Sequence, residues 1–188
     1  MLEAINAFDL SVLCAIGSTR NTVLDAVMTF ISASGNKGFI FILVTVLLLL
    51  SVKTRKIGVY AAVSLSIDAV LCNVIIKPLV ARPRPFDFFD VITRDMLVIP
   101  PPTDFSFPSG HTAASFAFSA AIYYKNKVLG IIAFVFSVAM GYSRLYLCVH
   151  YPTDVLAGAI LGIVCGVFSV LICNAVYKYN GDKLTNSR

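Results

Sequence analysis

The sequence predicts an all-α integral membrane protein, a bundle of about six helices in a single domain of residues 1–188. Hydrophobic residues make up 58% of the chain and charged residues only 13%, with a mean hydropathy of +0.85. Soluble domains are about half apolar and about a quarter charged. Segments of roughly twenty residues, the length that crosses a bilayer, would use most of the chain if there were about six.

Apolar segments separated by polar stretches give the expected helix positions. Residues 2–16 place apolar side chains near helical spacing, which predicts that the segment 1–19 holds a short helix lying at the membrane interface or entering it. The longer apolar segments follow approximately at 20–35, 37–52, 57–77, 109–124, 128–147 and 153–177. Residues 78–108 form the one long polar connection, which we expect to be an external loop between the third and fourth helices. A loop of this length is usually functional.

Clusters of lysine and arginine orient this bundle. They are Lys53, Arg55 and Lys56; Lys125 and Lys127; and Lys178, Lys183 and Arg188. If each apolar segment spans once, all three clusters fall on one side, which the positive-inside rule assigns to the cytoplasm together with the C-terminus. Arg20 is expected on the same side. The net charge of +5 therefore reflects membrane orientation and is no sign of nucleic-acid binding.

Five cations map to the opposite side, where few are expected. They are Lys77, Arg82, Arg84, Arg94 and Arg144. Arg144 lies within an apolar segment, and a cation there needs a partner. A site for a multivalent anion explains this gathering of positive charge, and an ordinary charged loop is the alternative.

Three polar islands beside the apolar segments carry the chemistry. They read Lys-x6-Arg-Pro at 77–85, Pro-Ser-Gly-His at 108–111 and Ser-Arg-x5-His-x3-Asp at 143–154. Arginine matches two phosphate oxygens at once, and a helix beginning at Ser109 would offer N–H groups to a third. A carboxylate such as Asp154, bonded to one nitrogen of His150, would leave the other nitrogen free to attack. We expect the three islands to converge around one anion.

In order and internal spacing, these islands resemble the signature of the type 2 phosphatidic acid phosphatase family, which also occurs in vanadium haloperoxidases. The resemblance implies that His150 is the nucleophile forming a phosphohistidine, that Asp154 orients it, and that His111 is the general acid. The implied phosphate-holding residues are Lys77, Arg84, Ser109, Gly110 and Arg144. Arg82 is a possible further phosphate ligand.

No metal or other cofactor is expected. Side chains supply the positive charge, and the spacing of histidines, cysteines and carboxylates fits neither a zinc nor a magnesium site. Asp68 lies inside the third apolar segment, where a carboxylate is costly. A structural packing role is expected for it ahead of a substrate role.

The resemblance implies metal-independent hydrolysis of a lipid phosphate or diphosphate at the external face of a bacterial plasma membrane. The short chain is most similar to undecaprenyl-diphosphate phosphatases, although many of those relatives have aspartate where this chain has Gly110. Phosphatidylglycerol phosphate, phosphatidic acid and lipid A 1-phosphate are alternative substrates. A lipid phosphotransferase and a non-catalytic anionic-lipid transporter also remain open, as does the oligomeric state.

Overall fold

The computed structural model describes the backbone of residues 2–186 and the side chains of residues 3–179. Within these residues there are helices and no strand, which confirms the all-α prediction. The α-helices are α1 (Leu2–Gly17), α2 (Thr22–Ser34), α3 (Phe39–Leu50), α4 (Arg55–Asp68), α5 (Lys77–Val80), α6 (Pro85–Phe88), α7 (Gly110–Lys125), α8 (Lys127–Tyr146) and α9 (Pro152–Asn186). The side chains of Lys183 and Arg188, two members of the C-terminal basic cluster, lie outside the described range.

Among the residues that the structure describes, three helical runs are long and apolar enough to cross a membrane. They are Arg55–Phe88, Lys127–Tyr146 and Pro152–Tyr179. The first of them includes α4, a π-helical stretch at Ala69–Ile76 and α5. Helix α7 has 16 residues. At 1.5 Å per residue it is about 24 Å long, somewhat less than the ~30 Å thickness of a hydrocarbon core.

Helices α2 and α3 form a fourth candidate span, bent by 48° between them. The break falls at a 3₁₀ turn, Asn36–Gly38, where Lys37 and Gly38 have φ angles of 51° and 72°. Left-handed backbone cannot continue a right-handed helix. Two apolar segments that were expected to cross separately therefore make one bent run, and the prediction of about six spans is not confirmed.

Helix α7 lies at the centre of the bundle and packs against α4, α8 and α9. Along α9, a glycine recurs at every fourth position and faces α7, at Gly158, Gly162 and Gly166. A Cβ atom on Gly162 would lie 2.3 Å from the carbonyl oxygen of Ala113, so only glycine allows this approach. Small residues at this spacing are typical of tightly packed membrane helices. The close contact sets the N-termini of α7 and α9 side by side.

The two ends of the bundle differ in charge. Lys125 lies 4.8 Å from the ring of Tyr60, and Lys56 lies 5.8 Å from the ring of Tyr177, so the basic clusters gather at one end. Arg20 lies at the other end, where it donates to the carbonyl oxygen of Met96 at 2.9 Å. The expectation that Arg20 joins the basic clusters was wrong, because only one bent run separates it from Lys53.

Helix α1 and the connection between α5 and α7 cover the end that holds Arg20. The connection contains α6 and a 3₁₀ turn, Arg94–Met96, and its Phe86 and Ile92 are buried in one cluster with Leu13 of α1. Asp9 of α1 is also buried and accepts a hydrogen bond from the backbone N–H of Thr153 at 3.1 Å. Helix α1 therefore packs directly on the N-terminus of α9.

Candidate functional site

A cavity of about 740 Å³ opens at the end of the bundle opposite the basic clusters. Both histidines line it, and so do four further residues of the three islands. The six are Lys77, Arg84, Gly110, His111, Arg144 and His150. The bend between α2 and α3 forms one wall, and Leu65, Asp68 and Ala69 form another. The structure thus brings together three stretches that are remote along the chain.

Lys77 and Arg84 meet at the carboxylate of Asp104. Lys77 Nζ pairs with Asp104 Oδ2 and also donates to the carbonyl oxygen of Phe105 at 3.0 Å. Arg84 Nη2 lies 2.5 Å from Asp104 Oδ1, and its Nε donates to the Asp104 carbonyl oxygen at 2.8 Å. Both cations are buried, whereas the side chain of Asp104 is 55% exposed. The extended backbone at Arg84, with φ −81° and ψ 159°, fits the residue before a proline and aims its side chain here.

His150 is fully buried and lies between a cation and a carboxylate. Its Nε2 is 3.4 Å from Arg84 Nη1, and its Nδ1 is 3.4 Å from Asp154 Oδ2. The hydroxyl of Ser106 donates to the same Asp154 oxygen and lies 3.4 Å from Nδ1. The backbone N–H of Tyr151 also donates to Asp154 Oδ2, at 3.0 Å. Asp154 is thus held against Nδ1, and Nε2 is the ring nitrogen on the side of Arg84.

Arg82 lies behind this pair and is not among the residues that line the cavity. Its Nη1 donates to Asp154 Oδ1 at 2.7 Å, and its Nη2 donates to Asp9 Oδ2 at 2.8 Å. Its guanidinium carbon lies 3.6 Å from the centre of the Tyr151 ring. The geometry therefore assigns Arg82 to the back of Asp154, and not to the phosphate-facing position that the sequence left open.

The N-terminus of α7 brings the second island to the cavity. Ser109 occupies the N-cap position, but its side chain makes no capping hydrogen bond and pairs instead with the Thr112 hydroxyl at 2.9 Å. A Cβ on Gly110 would lie 3.1 Å from the side-chain oxygen of Asn73, so the helix start packs closely on the π-helical stretch. His111 Nε2 lies 3.1 Å from Asn36 Oδ1, in the bend between α2 and α3.

Arg144 and Asp68 are buried and line the cavity, each with an atom that lacks a hydrogen-bond partner. Arg144 Nη1 donates to Ser32 Oγ, while Arg144 Nε has no hydrogen-bond partner. Asp68 Oδ1 also lacks a hydrogen-bond partner. A buried polar group without a partner is costly, so both atoms are candidates for contact with a ligand. The packing role expected for Asp68 stays a prediction.

The surroundings of two groups outside the spans set their charge. Burial, followed by the positive charges of Arg84 and Arg144, lowers the pKa of His150 well below its ordinary value of 6.5. Its imidazole is therefore neutral at physiological pH. Burial raises the pKa of Asp104, but the hydrogen bond and charge of Lys77 and the charge of Arg84 outweigh it and lower the pKa to about 2. Asp104 is therefore an anion.

The sequence pattern did not single out Asp104 or Ser106 as site residues. Both lie just before the Pro-Ser-Gly-His island, and their role depends on how the connection folds back over the cavity. Ser106 is held there by its backbone N–H, which donates to the Arg82 carbonyl oxygen at 2.9 Å. The connection 78–108 holds four aspartates and three arginines, so its composition did not distinguish Asp104 from the other aspartates.

Chemically, the cavity combines a buried cation cluster with a neutral imidazole backed by a carboxylate. Lys77, Arg84 and Arg144 can hold the oxygens of a tetrahedral anion, and His150 can attack its central atom. Among the residues that the structure describes, no group of three histidine, cysteine or acidic side chains is arranged to hold a metal ion.

Comparisons with known proteins agree with this architecture. The family model described as PAP2 superfamily matches residues 57–178. The undecaprenyl-diphosphatase BcrC of Bacillus subtilis is 34% identical over 149 residues, which are 79% of this chain and 75% of that protein. An undecaprenyl-diphosphatase of Sulfolobus acidocaldarius is 36% identical over 166 residues, 88% of this chain and 78% of that protein.

A solved structure is similar over most of the fold. It is the crystal structure of a transmembrane PAP2 type phosphatidylglycerolphosphate phosphatase from Bacillus subtilis, with a TM-score of 0.76 and 28% sequence identity. The match covers 92% of this chain and 88% of that one.

Proposed function

Because the chain belongs to the PAP2 superfamily and is a membrane hydrolase, we propose that it removes phosphate from a lipid phosphate or diphosphate. The single observation that carries this proposal is the cavity in which the His150–Asp154 pair faces Lys77, Arg84 and Arg144. A phosphate bound by these cations would sit beside Nε2 of His150, the ring nitrogen that faces Arg84.

In the first step, His150 Nε2 attacks the phosphorus and the bond to the leaving oxygen breaks. Asp154 stabilises the imidazole as it gains positive charge, and His111 gives a proton to the leaving oxygen. In the second step, His111 accepts a proton from water as the water oxygen attacks the phosphorus, the P–N bond to His150 breaks, and inorganic phosphate is released. The cations hold the charge that spreads over the phosphoryl oxygens. No metal ion takes part in this scheme.

The substrate we favour is undecaprenyl diphosphate, converted to undecaprenyl phosphate. The two relatives described above carry that activity in their names. The cavity is also lined by Ile42 of α3, Leu65 of α4 and Ala69 of the π-helical stretch, so a hydrocarbon tail can lie beside the bound headgroup.

Phosphatidylglycerol phosphate is a second candidate, and Asp68 favours it. The unpartnered Asp68 Oδ1 would accept a hydrogen bond from the glycerol hydroxyl of that lipid, whereas a prenyl chain offers no donor. The similarity to the phosphatidylglycerolphosphate phosphatase fold is consistent with this choice.

We further propose that the whole chain is one multi-pass unit whose site faces the outside of the plasma membrane. The bent α2–α3 run, α4 with α5, α7, α8 and α9 would then cross five times, and the connection over the cavity would be external. The gathering of Lys56 and Lys125 at the opposite end supports this orientation through the positive-inside rule. Helix α1 would lie at the external interface and the C-terminus in the cytoplasm.

The test is turnover by the purified protein in detergent micelles with undecaprenyl diphosphate, phosphatidylglycerol phosphate, phosphatidic acid and lipid A. We expect release of inorganic phosphate, and acid-labile ³²P on the wild-type protein after rapid quenching but not on His150→Ala. Transfer of the label to a second lipid would identify a phosphotransferase. Binding of these lipids without turnover by any form would identify a transporter.

A further inference from the structure

Asp104 occupies the position in the cation cluster that a phosphate would take. Its two carboxylate oxygens pair separately, Oδ2 with Lys77 and Oδ1 with Arg84 Nη2 at 2.5 Å. Two oxygens bridging two cations is the arrangement expected of a bound phosphoryl group. The carboxylate lines the cavity and its side chain is 55% exposed, so it can leave without unpacking the core.

The remaining donors of Arg84 are also engaged. Its Nε bonds the Asp104 carbonyl oxygen at 2.8 Å and its Nη1 bonds the Val149 carbonyl oxygen at 2.6 Å. Those two backbone contacts fix the guanidinium without help from the Asp104 carboxylate. The carboxylate is therefore the contact that an incoming anion can replace while Arg84 stays in place.

We propose that Asp104 is a specificity-determining residue, an internal anion that only a terminal phosphate group can displace. The inference rests on the proposed function. A terminal phosphate or diphosphate carries close to two negative charges or more and presents three free oxygens. A phosphodiester carries one charge and two free oxygens, and so gains no more from Lys77 and Arg84 than the carboxylate already gives.

This selection matters because the cavity opens within a membrane. Anionic phosphodiester lipids such as phosphatidylglycerol would surround the protein at far higher concentration than any substrate. A cation cluster without a resident anion would bind their headgroups and stay occupied. Asp104 would keep the cluster closed to them and open to the rarer lipids that end in phosphate.

A second ion pair in the same connection provides a matched control. Asp87 Oδ1 accepts from Arg94 Nη2 at 2.5 Å, and neither residue is among those that line the cavity. Asp87→Asn removes the same charge from a carboxylate–arginine pair in the same connection. It should leave anion selection unchanged.

The kinetic test measures phosphate release in micelles of neutral detergent with increasing phosphatidylglycerol. Wild type and Asp87→Asn should resist inhibition, whereas phosphatidylglycerol should compete with substrate at least about tenfold more strongly in Asp104→Asn. Equal sensitivity in all three forms would overturn the proposal. So would a loss of activity in Asp104→Asn with unchanged sensitivity, which would assign Asp104 to positioning the cations.

A binding test separates this inference from the proposed function, because it needs no turnover. The thermal unfolding of each form is followed with inorganic phosphate or dimethyl phosphate at equal ionic strength. Inorganic phosphate should stabilise all three forms, and dimethyl phosphate should stabilise only Asp104→Asn. If dimethyl phosphate stabilises the wild type equally, the inference fails even where phosphatase activity is found. If the pattern holds without turnover, the anion selection stands and the catalytic proposal fails.

Discussion

The guanidinium of Arg82 holds Asp154 from the side opposite to His150. Arg82 Nη1 lies 2.7 Å from Asp154 Oδ1, while Asp154 Oδ2 faces the imidazole at 3.4 Å. Asp9 of α1 in turn binds Arg82 Nη2 at 2.8 Å. Asp154, Arg82 and Asp9 therefore form a chain of alternating charges that extends from His150 to the N-terminal helix.

Removing Arg82 should disturb both stability and the nucleophile. Arg82→Ala would leave two fully buried carboxylates without their cation, which should lower the free energy of unfolding by about 3 kcal/mol. The more negative surroundings would raise the pKa of His150, so the acidic limb of kcat/KM should move to higher pH. Arg82→Lys should restore part of both effects.

Arg94→Ala is the control for that experiment, since Arg94 pairs with Asp87 away from the cavity. A positioning role for Arg82 predicts a shifted pH profile in Arg82→Ala alone. If its profile has the shape of the wild-type profile and only the amount of folded protein falls, the role is structural.

The activity lost on replacing each histidine should depend differently on the leaving group of the substrate. His150→Ala should reduce turnover of every substrate by at least about 10³-fold, because the nucleophile is lost. His111→Ala should cost about 10²–10⁴-fold on phosphatidic acid, whose alkoxide must be protonated. On p-nitrophenyl phosphate, whose leaving group needs no acid, the rate of the first step, measured as the burst of p-nitrophenol, should be nearly unchanged in His111→Ala. An equal loss of the first-step rate on both substrates would contradict a general-acid role for His111.

The charge state of His150 can be measured directly, since the chain has two histidines. Burial and the nearby arginines lower the pKa of His150, so its neutral form should persist as the pH falls below 6.5. In ¹³C-histidine-labelled His111→Asn protein, the remaining imidazole signal should not titrate between about pH 6 and 8. A midpoint near 6.5 would contradict the desolvated environment.

Chelators and vanadate should separate side-chain catalysis from metal catalysis. Lys77, Arg84 and Arg144 supply the positive charge in the proposed scheme, so EDTA should leave the rate unchanged. Vanadate should inhibit competitively because it can adopt the five-coordinate geometry of the transferring phosphoryl group. A rate that falls with EDTA and returns with magnesium would disprove the metal-independent scheme.

The sequence predicted the helical class and several residues that line the cavity, because both can be recognised from short stretches of sequence. Apolar composition identifies membrane helices, and the motif spacing identifies Lys77, Arg84 and His150. The boundary near Lys37 was expected between the segments 20–35 and 37–52, but the two segments were counted as separate spans, because hydropathy does not show that they join into one bent run. Asp104 was missed because its contact depends on the path of a long connection, which no periodicity encodes.

The glycine repeat on α9 determines how closely α7 and α9 pack. A methyl group at Gly162 would force α7 and α9 apart, because its Cβ would lie 2.3 Å from a backbone oxygen. Gly162→Ala should lower the free energy of unfolding by roughly 1–3 kcal/mol, despite the better helix propensity of alanine.

Separation of these helices would also weaken the hydrogen bond from Ser109 N–H to the Asp154 carbonyl oxygen, now 3.1 Å long. Activity per folded molecule should therefore fall together with stability. A methyl group at Gly17 would meet nothing within 4 Å, so Gly17→Ala is the control and should change neither property. Unfolding in detergent followed by circular dichroism, with phosphate release on the same samples, makes the comparison. If Gly162→Ala matches Gly17→Ala in both measurements, the close packing of α7 on α9 does not hold the site together.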